Sequence, residues 1–248
     1  MTGFEGRVAV VSGAGRGIGQ AICRALARTG ADVVAVDIAD PVETVGMVEA
    51  EGRKAVGLIG DVSDPDDVRR IGQQVTERMG RCDILVNNAG IYPAKNVFKL
   101  DYDAWRRVMA VNLDSQFLMT KAVLDHMCEA RWGRIINITS NSIGLALPGF
   151  THYIASKMGS IGFTRALASD VASFGITVNA VGPTLSRTPG LAESVIGDGA
   201  LQHVSGLQAI KRPGEAEDVV GTVLFLAGDD SAFVTGQTIM ADGGLVRL

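Results

Sequence analysis

Three cysteines in 248 residues, Cys23, Cys82 and Cys128, are too few and too widely spaced for a disulfide framework, and none pairs with another at zinc-site spacing. A reducing compartment follows as the expectation, and no metal is expected. Histidine is equally scarce: His126, His152 and His203 are scattered and suit surface or packing roles, although His152 directly precedes a tyrosine. No stretch approaches eighteen uncharged apolar residues, and Met1 to Gly6 lack an apolar signal core, so a cytoplasmic protein without a membrane partner is expected. A basic cluster is also missing, and the net charge of -4 argues against nucleic acid as a partner.

Apolar residues, at 47%, and glycine, at 31 positions, are what the chain has in quantity. A chain of this length buries most of its unfolded surface and needs no covalent staple, and no linker divides it, so residues 1–248 read as a single domain. Short β-rich runs at Arg7 to Val11, Asp32 to Asp37, Ala55 to Gly60, Ile84 to Asn87, Arg134 to Thr139, Ile176 to Val181 and Gln237 to Ala241 alternate with helical stretches. Runs such as Ile84-Leu85-Val86 are apolar at successive positions, as in parallel strands covered on both faces. The predicted architecture is an α/β fold: a doubly wound, parallel, seven-stranded sheet with helices on both faces.

The first strand runs into Ser12-Gly13-Ala14-Gly15-Arg16-Gly17-Ile18-Gly19 and then a helical pattern. Strand, glycine loop and helix together allow a backbone to approach a pyrophosphate and offer it helix-start amides. The next strand ends on Asp37, eighteen residues after Gly19, where an acid meets the ribose hydroxyls of a dinucleotide. That carboxylate would repel a 2'-phosphate and so favours NAD over NADP; Arg16 in the loop argues the other way, with less weight because an arginine can swing into solvent.

Tyr153 and Lys157 are four residues apart, about one helical turn, and Ser140 lies thirteen residues before the tyrosine. A phenol of ordinary pKa near 10 shuttles protons poorly at neutral pH, and a nearby ammonium favours its ionised form. The pair therefore suits general acid/base work. Ser142 could replace Ser140 as the hydroxyl donor, but the spacing favours Ser140.

Gly13-x3-Gly17-x-Gly19, Asn87-Asn88-Ala89-Gly90, Asn112, Ser140, Tyr153 and Lys157, in this order, resemble the short-chain dehydrogenase/reductase family in its single-domain, NAD(P)-dependent, Rossmann-type form. The match spans essentially the whole chain, ending in Thr235-Gly236-Gln237 and Asp242-Gly243-Gly244. Some segments are similar to dehydrogenases of secondary alcohols of the 1-phenylethanol type. The resemblance implies roles. Asp61, followed by Val62, would contact the adenine edge. Asn87 to Gly90 would form the turn that closes strand four, with Asn88, Ala89 and Gly90 beside the cofactor. Asn112 would hold a water in a proton relay, and Ser140 would bond the substrate oxygen. Tyr153 would exchange the proton, and Lys157 would bind the nicotinamide ribose while lowering the tyrosine pKa. Pro183 and Thr188 match the segment flanking the nicotinamide carboxamide; the family often has glycine after that proline, where this chain has Thr184.

Residues 186–212 interrupt the alternation, and Gly190, Gly197, Gly199 and Gly206 there weaken any rigid helix, so a mobile substrate lid is expected. Helical stretches Ala104 to Ala130 and Thr151 to Phe174 carry apolar surface in excess of a monomer's need. The resemblance implies a homodimer or homotetramer through them, with Leu245-Val246 suited to a second subunit contact. Tyr92, Leu145, Phe150 and Leu185, beside Ser140, would line an apolar pocket for a small-molecule substrate. The leading expectation is an NAD-dependent oxidoreductase interconverting a secondary alcohol and its ketone. A 3-oxoacyl-thioester (acyl carrier protein) reductase is the enzymatic alternative, and a dinucleotide-sensing regulator the non-enzymatic one.

Overall fold

A computed structural model describes residues 3–192 and 197–247. Its elements in chain order are β1 (Val8–Ser12), α1 (Gly17–Arg28), β2 (Asp32–Asp37), α2 (Val42–Ala50), β3 (Ala55–Ile59), α3 (Pro65–Met79), β4 (Ile84–Asn87), α4 (Tyr102–Met109), α5 (Ser115–Ala130), β5 (Gly133–Ile138), α6 (Thr151–Val171), β6 (Ile176–Pro183), β7 (Ser186–Arg187), α7 (Pro189–Ala192), α8 (Gly197–Leu207), β8 (Gly214–Glu215), α9 (Glu217–Ala227) and β9 (Thr238–Ala241). Seven strands form one parallel sheet in the order β3-β2-β1-β4-β5-β6-β9, and β7 and β8 form a separate two-stranded ribbon. The seven expected strands and their parallel pairing are therefore present. Among the described residues no helix is long and apolar enough to cross a membrane.

Successive strand residues point to opposite faces, and each face has its own core. Ala9 and Val11 of β1 pack with Leu26 of α1 and with Val219 and Val223 of α9. Val8 and Val10 pack on the other side with Ile71 and Val75 of α3, Met119 and Val123 of α5, and Val171 of α6. Because both faces are covered, β1, β4, β5 and β6 are buried at every position, which is why their sequences read as continuous apolar runs.

The strand order reverses at β1, flanked by β2 and β4, so the crossovers leave in opposite directions and a crevice opens at the carboxyl ends of the strands. A buried polar ladder locks that side. Asn87 Nδ2 of β4 donates to Asn137 Oδ1 of β5 at 2.9 Å, and Asn137 Nδ2 donates to Thr164 Oγ1 of α6 at 2.9 Å.

Two helical expectations change. The stretch predicted as one helix from Ala104 starts at Tyr102, with the Asp101 carboxylate accepting the Ala104 N-H at 2.8 Å, and is broken by a π-helical turn at Ala110–Asp114. The region read as glycine-weakened, 186–212, instead carries α7 and α8, with α8 running through Gly199 and Gly206. Burial of Leu201, Ser205 and Gln208 supplies tertiary contacts that outweigh the low intrinsic helix propensity of glycine. Residues 193–196 of the expected lid lie outside the described residues.

Candidate active site

The loop between β1 and α1 is shaped by its glycines. Gly13 has φ +61, and a Cβ there would sit 2.8 Å from Ala89 Cα. A Cβ on Gly19 would overlap the Gly13 carbonyl oxygen, so side chains at either position would push the loop off its neighbours. Helix α1 begins at Gly17 behind an extended Arg16, whose side chain makes no cap hydrogen bond to it. The first amides and the positive end of the helix suit a pyrophosphate. Ile18 in this first turn is half-buried, and Thr188, from the segment after β7, rests its methyl 3.4 Å from a Cβ position on Gly17.

Asp37 closes the loop from the end of β2. Its Oδ2 accepts the Gly15 N-H at 2.8 Å and its Oδ1 the Ala39 N-H at 3.3 Å. An acid fixed in this place, beside a glycine cradle that a Cβ would fill, fits the ribose end of a dinucleotide. On the far side Asn88 donates through Nδ2 to the carbonyls of Ser12 at 3.0 Å and Gly13 at 2.9 Å, while Ser12 Oγ accepts the Asn88 and Ala89 N-H groups. Strand four is thus sewn to the glycine loop.

Asp61, expected at the adenine edge, is held by its own neighbours. Its Oδ1 accepts from the Ser63 amide and hydroxyl, and its Oδ2 pairs with Arg107 Nη1 at 3.1 Å. Against the upward push of burial, these partners hold its carboxyl below the usual carboxylate range. Val62 beside it is buried.

The catalytic set expected from sequence comes together at the crevice. Ser140 follows β5, and its side chain hydrogen-bonds the Tyr153 phenol while Oγ also accepts the Ser142 N-H at 3.1 Å. Ser142 is buried. Tyr153 stands between two aromatic edges, Tyr92 at 6.4 Å and Phe150 at 6.1 Å between ring centroids. Lys157 Nζ lies 5.9 Å from the Tyr153 ring and donates to the Ile138 carbonyl at 2.8 Å, while Thr139 Oγ1 donates to the Lys157 carbonyl. Gly90 faces this lysine: a Cβ there would be 3.4 Å from Nζ.

Charge in this cluster departs from expectation. Burial pushes the Tyr153 phenol above its ordinary value, the Ser140 bond offsets part of the rise, and Tyr92 adds to it. Burial also pushes the Lys157 ammonium down to about 8. In the protein alone the dominant influence on Tyr153 is therefore desolvation, rather than the lowering by Lys157 that the spacing suggested.

Asn112 sits in the π turn, fully buried. Its Oδ1 accepts the Ile91 N-H at 2.8 Å, and its Nδ2 donates to the Ile91 carbonyl at 2.9 Å and to Ser156 Oγ at 3.1 Å. The side chain clamps the backbone beside Tyr92, a contact with no signal in the sequence. Of the remaining expected substrate residues, Leu185 is half-buried just after the buried Pro183, and Leu145 lines a shallow groove with Leu147, Pro148, Thr151 and Ile154. His152 is fully buried, and neither ring nitrogen has a hydrogen-bond partner among the described residues.

Thr184, the departure after Pro183, donates to Gln208 Oε1 at 2.8 Å, and Gln208 Nε2 donates to the carbonyls of Ile210 and Arg212. The hydroxyl thus joins the end of β6 to the segment after α8.

The family model described as enoyl-(acyl carrier protein) reductase matches residues 13–246. A 3-oxoacyl-[acyl-carrier-protein] reductase of Synechocystis sp. is 40% identical, with 99% of each chain covered. The (2S)-[(R)-hydroxy(phenyl)methyl]succinyl-CoA dehydrogenase subunit BbsD of Thauera aromatica is also 40% identical, over 98% of this chain and 97% of its own. A crystal structure from Sinorhizobium meliloti 1021, provisionally assigned as a short-chain alcohol dehydrogenase, superposes with a TM-score of 0.93 at 36% identity and 98% coverage of both chains. On these matches and the parallel sheet that carries the crevice, the chain belongs to the short-chain dehydrogenase/reductase family of nicotinamide-dinucleotide oxidoreductases.

Proposed function

We propose that the protein interconverts a 3-oxoacyl thioester and its 3-hydroxy form with NAD(H). The observation that carries the chemistry is the Ser140-bonded phenol of Tyr153 set between Tyr92 and Phe150, beside Lys157. The thioester reading is supported by the relatives' named activities, two of which are acyl-carrier or coenzyme A thioester conversions.

A nicotinamide dinucleotide held by the glycine loop, Asp37 and Lys157 would supply the hydride that the carbonyl carbon takes up in the reducing direction. Ser140 donates a hydrogen bond to the carbonyl oxygen and orients it. Tyr153 gives its phenol proton to that oxygen as negative charge develops there, and its raised pKa keeps it protonated for the purpose at neutral pH. Lys157, while charged, steadies the phenolate left behind and would hold the ribose of the dinucleotide. Oxidation runs the same steps backward. Asn112 holds the Ile91 backbone, and so keeps Tyr92 against the phenol.

The proposal covers both carriers that the relatives' names print, an acyl carrier protein and coenzyme A. Among the described residues four cations are already paired with acids: Lys95 with Asp101, Arg107 with Asp61, Arg187 with Glu215, and Arg212 with Asp218. Arg131 lies by Gly133, at the ends of the strands opposite the crevice. A second reading, the uncharged secondary alcohol, is favoured by the apolar Leu145, Leu147 and Phe150 of the loop after Ser140. The test is kcat/KM for acetoacetyl-CoA with NADH and with NADPH, against 1-phenylethanol with NAD. The thioester with NADH should win, and a clear preference for the alcohol would reject this proposal.

NAD preference rests on Asp37. Asp37→Ala removes the acid and leaves the Gly15 N-H without this acceptor. The ratio of kcat/KM with NADH to that with NADPH should fall about tenfold or more, near 1.4 kcal/mol. An unchanged ratio would move the specificity to Arg16.

Residues 186–212 are proposed to act as a substrate lid. Subunits are proposed to associate through α4, α5 and α6, where Tyr102, Phe117 and Met158 are exposed and a groove is lined by Leu113, Phe117 and Phe163.

A further inference from the structure

The last described residues do not project from the domain. The Asp242 carboxylate, almost completely buried, accepts the Gly244 N-H at 3.0 Å through Oδ1 and the Val246 N-H at 2.8 Å through Oδ2, which folds the chain back on itself. Val246 is buried at 8% exposure, and it packs on Gly144 so closely that a Cβ on Gly144 would overlap Val246 Cγ1. Gly144 ends the short 3-10 turn Asn141–Gly144, whose N-cap is Ser140. Val246 thus has a seat within its own chain, beside the subunit contact proposed for Leu245-Val246.

The opposite side of the same hairpin meets the lid. Gly243 O accepts the Ile210 N-H at 2.9 Å, and a Cβ on Gly243 would lie 3.0 Å from Gln208 Nε2, the residue clasped by Thr184. The segment therefore touches the Ser140 turn with one end and the base of α8 with the other.

We infer that Asp242–Val246 is an internal brace, with Val246 the positioning residue that sets the Ser140 turn against Tyr153 and fixes the floor of the substrate loop. The inference rests on the proposed role of the Ser140–Tyr153 pair. Gly144 lies outside the left-handed backbone region, so a methyl group there acts through Val246 and not through backbone strain. If the turn is displaced, Ser140 loses its hold on the phenol, and the bond that offsets part of the burial-driven rise in the Tyr153 pKa goes with it. Tyr92 and Lys157 also face this phenol and are left in place.

The test compares Gly144→Ala, Val246→Ala and the double variant in the full-length protein. Gly144→Ala should lower kcat/KM for acetoacetyl-CoA by about tenfold, with NADH affinity unchanged in a fluorescence titration. The double variant should recover most of that loss, because the shortened side chain makes room for the methyl. Ultraviolet titration of the phenolate, with Tyr153→Phe identifying which transition is Tyr153, should move upward in Gly144→Ala and return in the double variant. This readout needs no turnover: a wild type inactive on both substrates would sink the functional reading, while the titration would still decide the brace. Near-wild-type activity and titration in Gly144→Ala, or losses in the double variant equal to the sum of the singles, would overturn the brace.

Discussion

Tyr153→Phe is expected to lower kcat by about a hundredfold to ten-thousandfold, the range for loss of a positioned general acid, while dinucleotide affinity stays within about twofold. The separation follows from the layout. Glycine loop, Asp37 and the Asn88 bridge form one cluster, and none of their hydrogen bonds involves the phenol. Phenylalanine keeps the ring between Tyr92 and Phe150, so packing survives while the proton and the Ser140 bond are lost. Steady-state turnover beside a fluorescence titration of NADH measures both quantities. Retention of more than about a tenth of wild-type kcat would remove Tyr153 from the proton transfer.

Lys157→Met should abolish most activity and yet stabilise the fold at neutral pH. Burial drops the lysine from its ordinary 10.5 to about 8, so below pH 8 the folded state carries a charge it disfavours. At about 1.4 kcal/mol per pKa unit the penalty is about 3 kcal/mol. The native state binds fewer protons than the unfolded chain between pH 8 and 10.5, so this penalty fades as pH rises through that window. Methionine fills similar volume, but the Ile138 carbonyl loses its donor, which returns about 1–2 kcal/mol. Urea unfolding at pH 7 should show a net gain of about 1–2 kcal/mol, shrinking toward pH 10. A variant less stable than wild type at pH 7, or a pH-independent difference, would mean that Lys157 is comfortably charged in the fold.

Sheet and crevice were legible because each relied on a local signal. Apolar runs marked β1, β4 and β5; Gly13, Gly17 and Gly19 marked a loop that only small residues can form; and Asp37 ended the strand where a ribose acid belongs. The Ser140, Tyr153 and Lys157 set was placed by spacing, and the structure brings it together. What escaped depended on contacts between distant segments. Spacing placed Lys157 near Tyr153, but burial, which no spacing encodes, decided the direction of both pKa shifts. Glycines 199 and 206 argued against α8, yet tertiary burial of Leu201 and Gln208 carried the helix through them. Val246 read as an apolar residue suited to a subunit contact, and its seat against Gly144, about a hundred positions earlier in the chain, has no local signal. Thr184 looked like a local irregularity, and its meaning lies in Gln208.

The π turn at Ala110–Asp114 bears on any redesign of this protein. A π turn carries one residue more than an α turn, so deleting one residue there would leave a straight, regular helix of high intrinsic propensity. Because the wide turn absorbs that extra residue, the same deletion would leave α5 facing nearly as it does now, with Gln116 and Thr120 still on the inward face. What would be lost is the local bulge itself, and Asn112 would leave its place against Ile91. An algorithm rewarded for idealising helices would remove this irregularity first, and with it the clamp that holds Tyr92 beside the phenol. The shortened variant should keep its helical circular dichroism and lose its turnover, so this five-residue segment belongs among the positions held fixed in any stabilisation campaign.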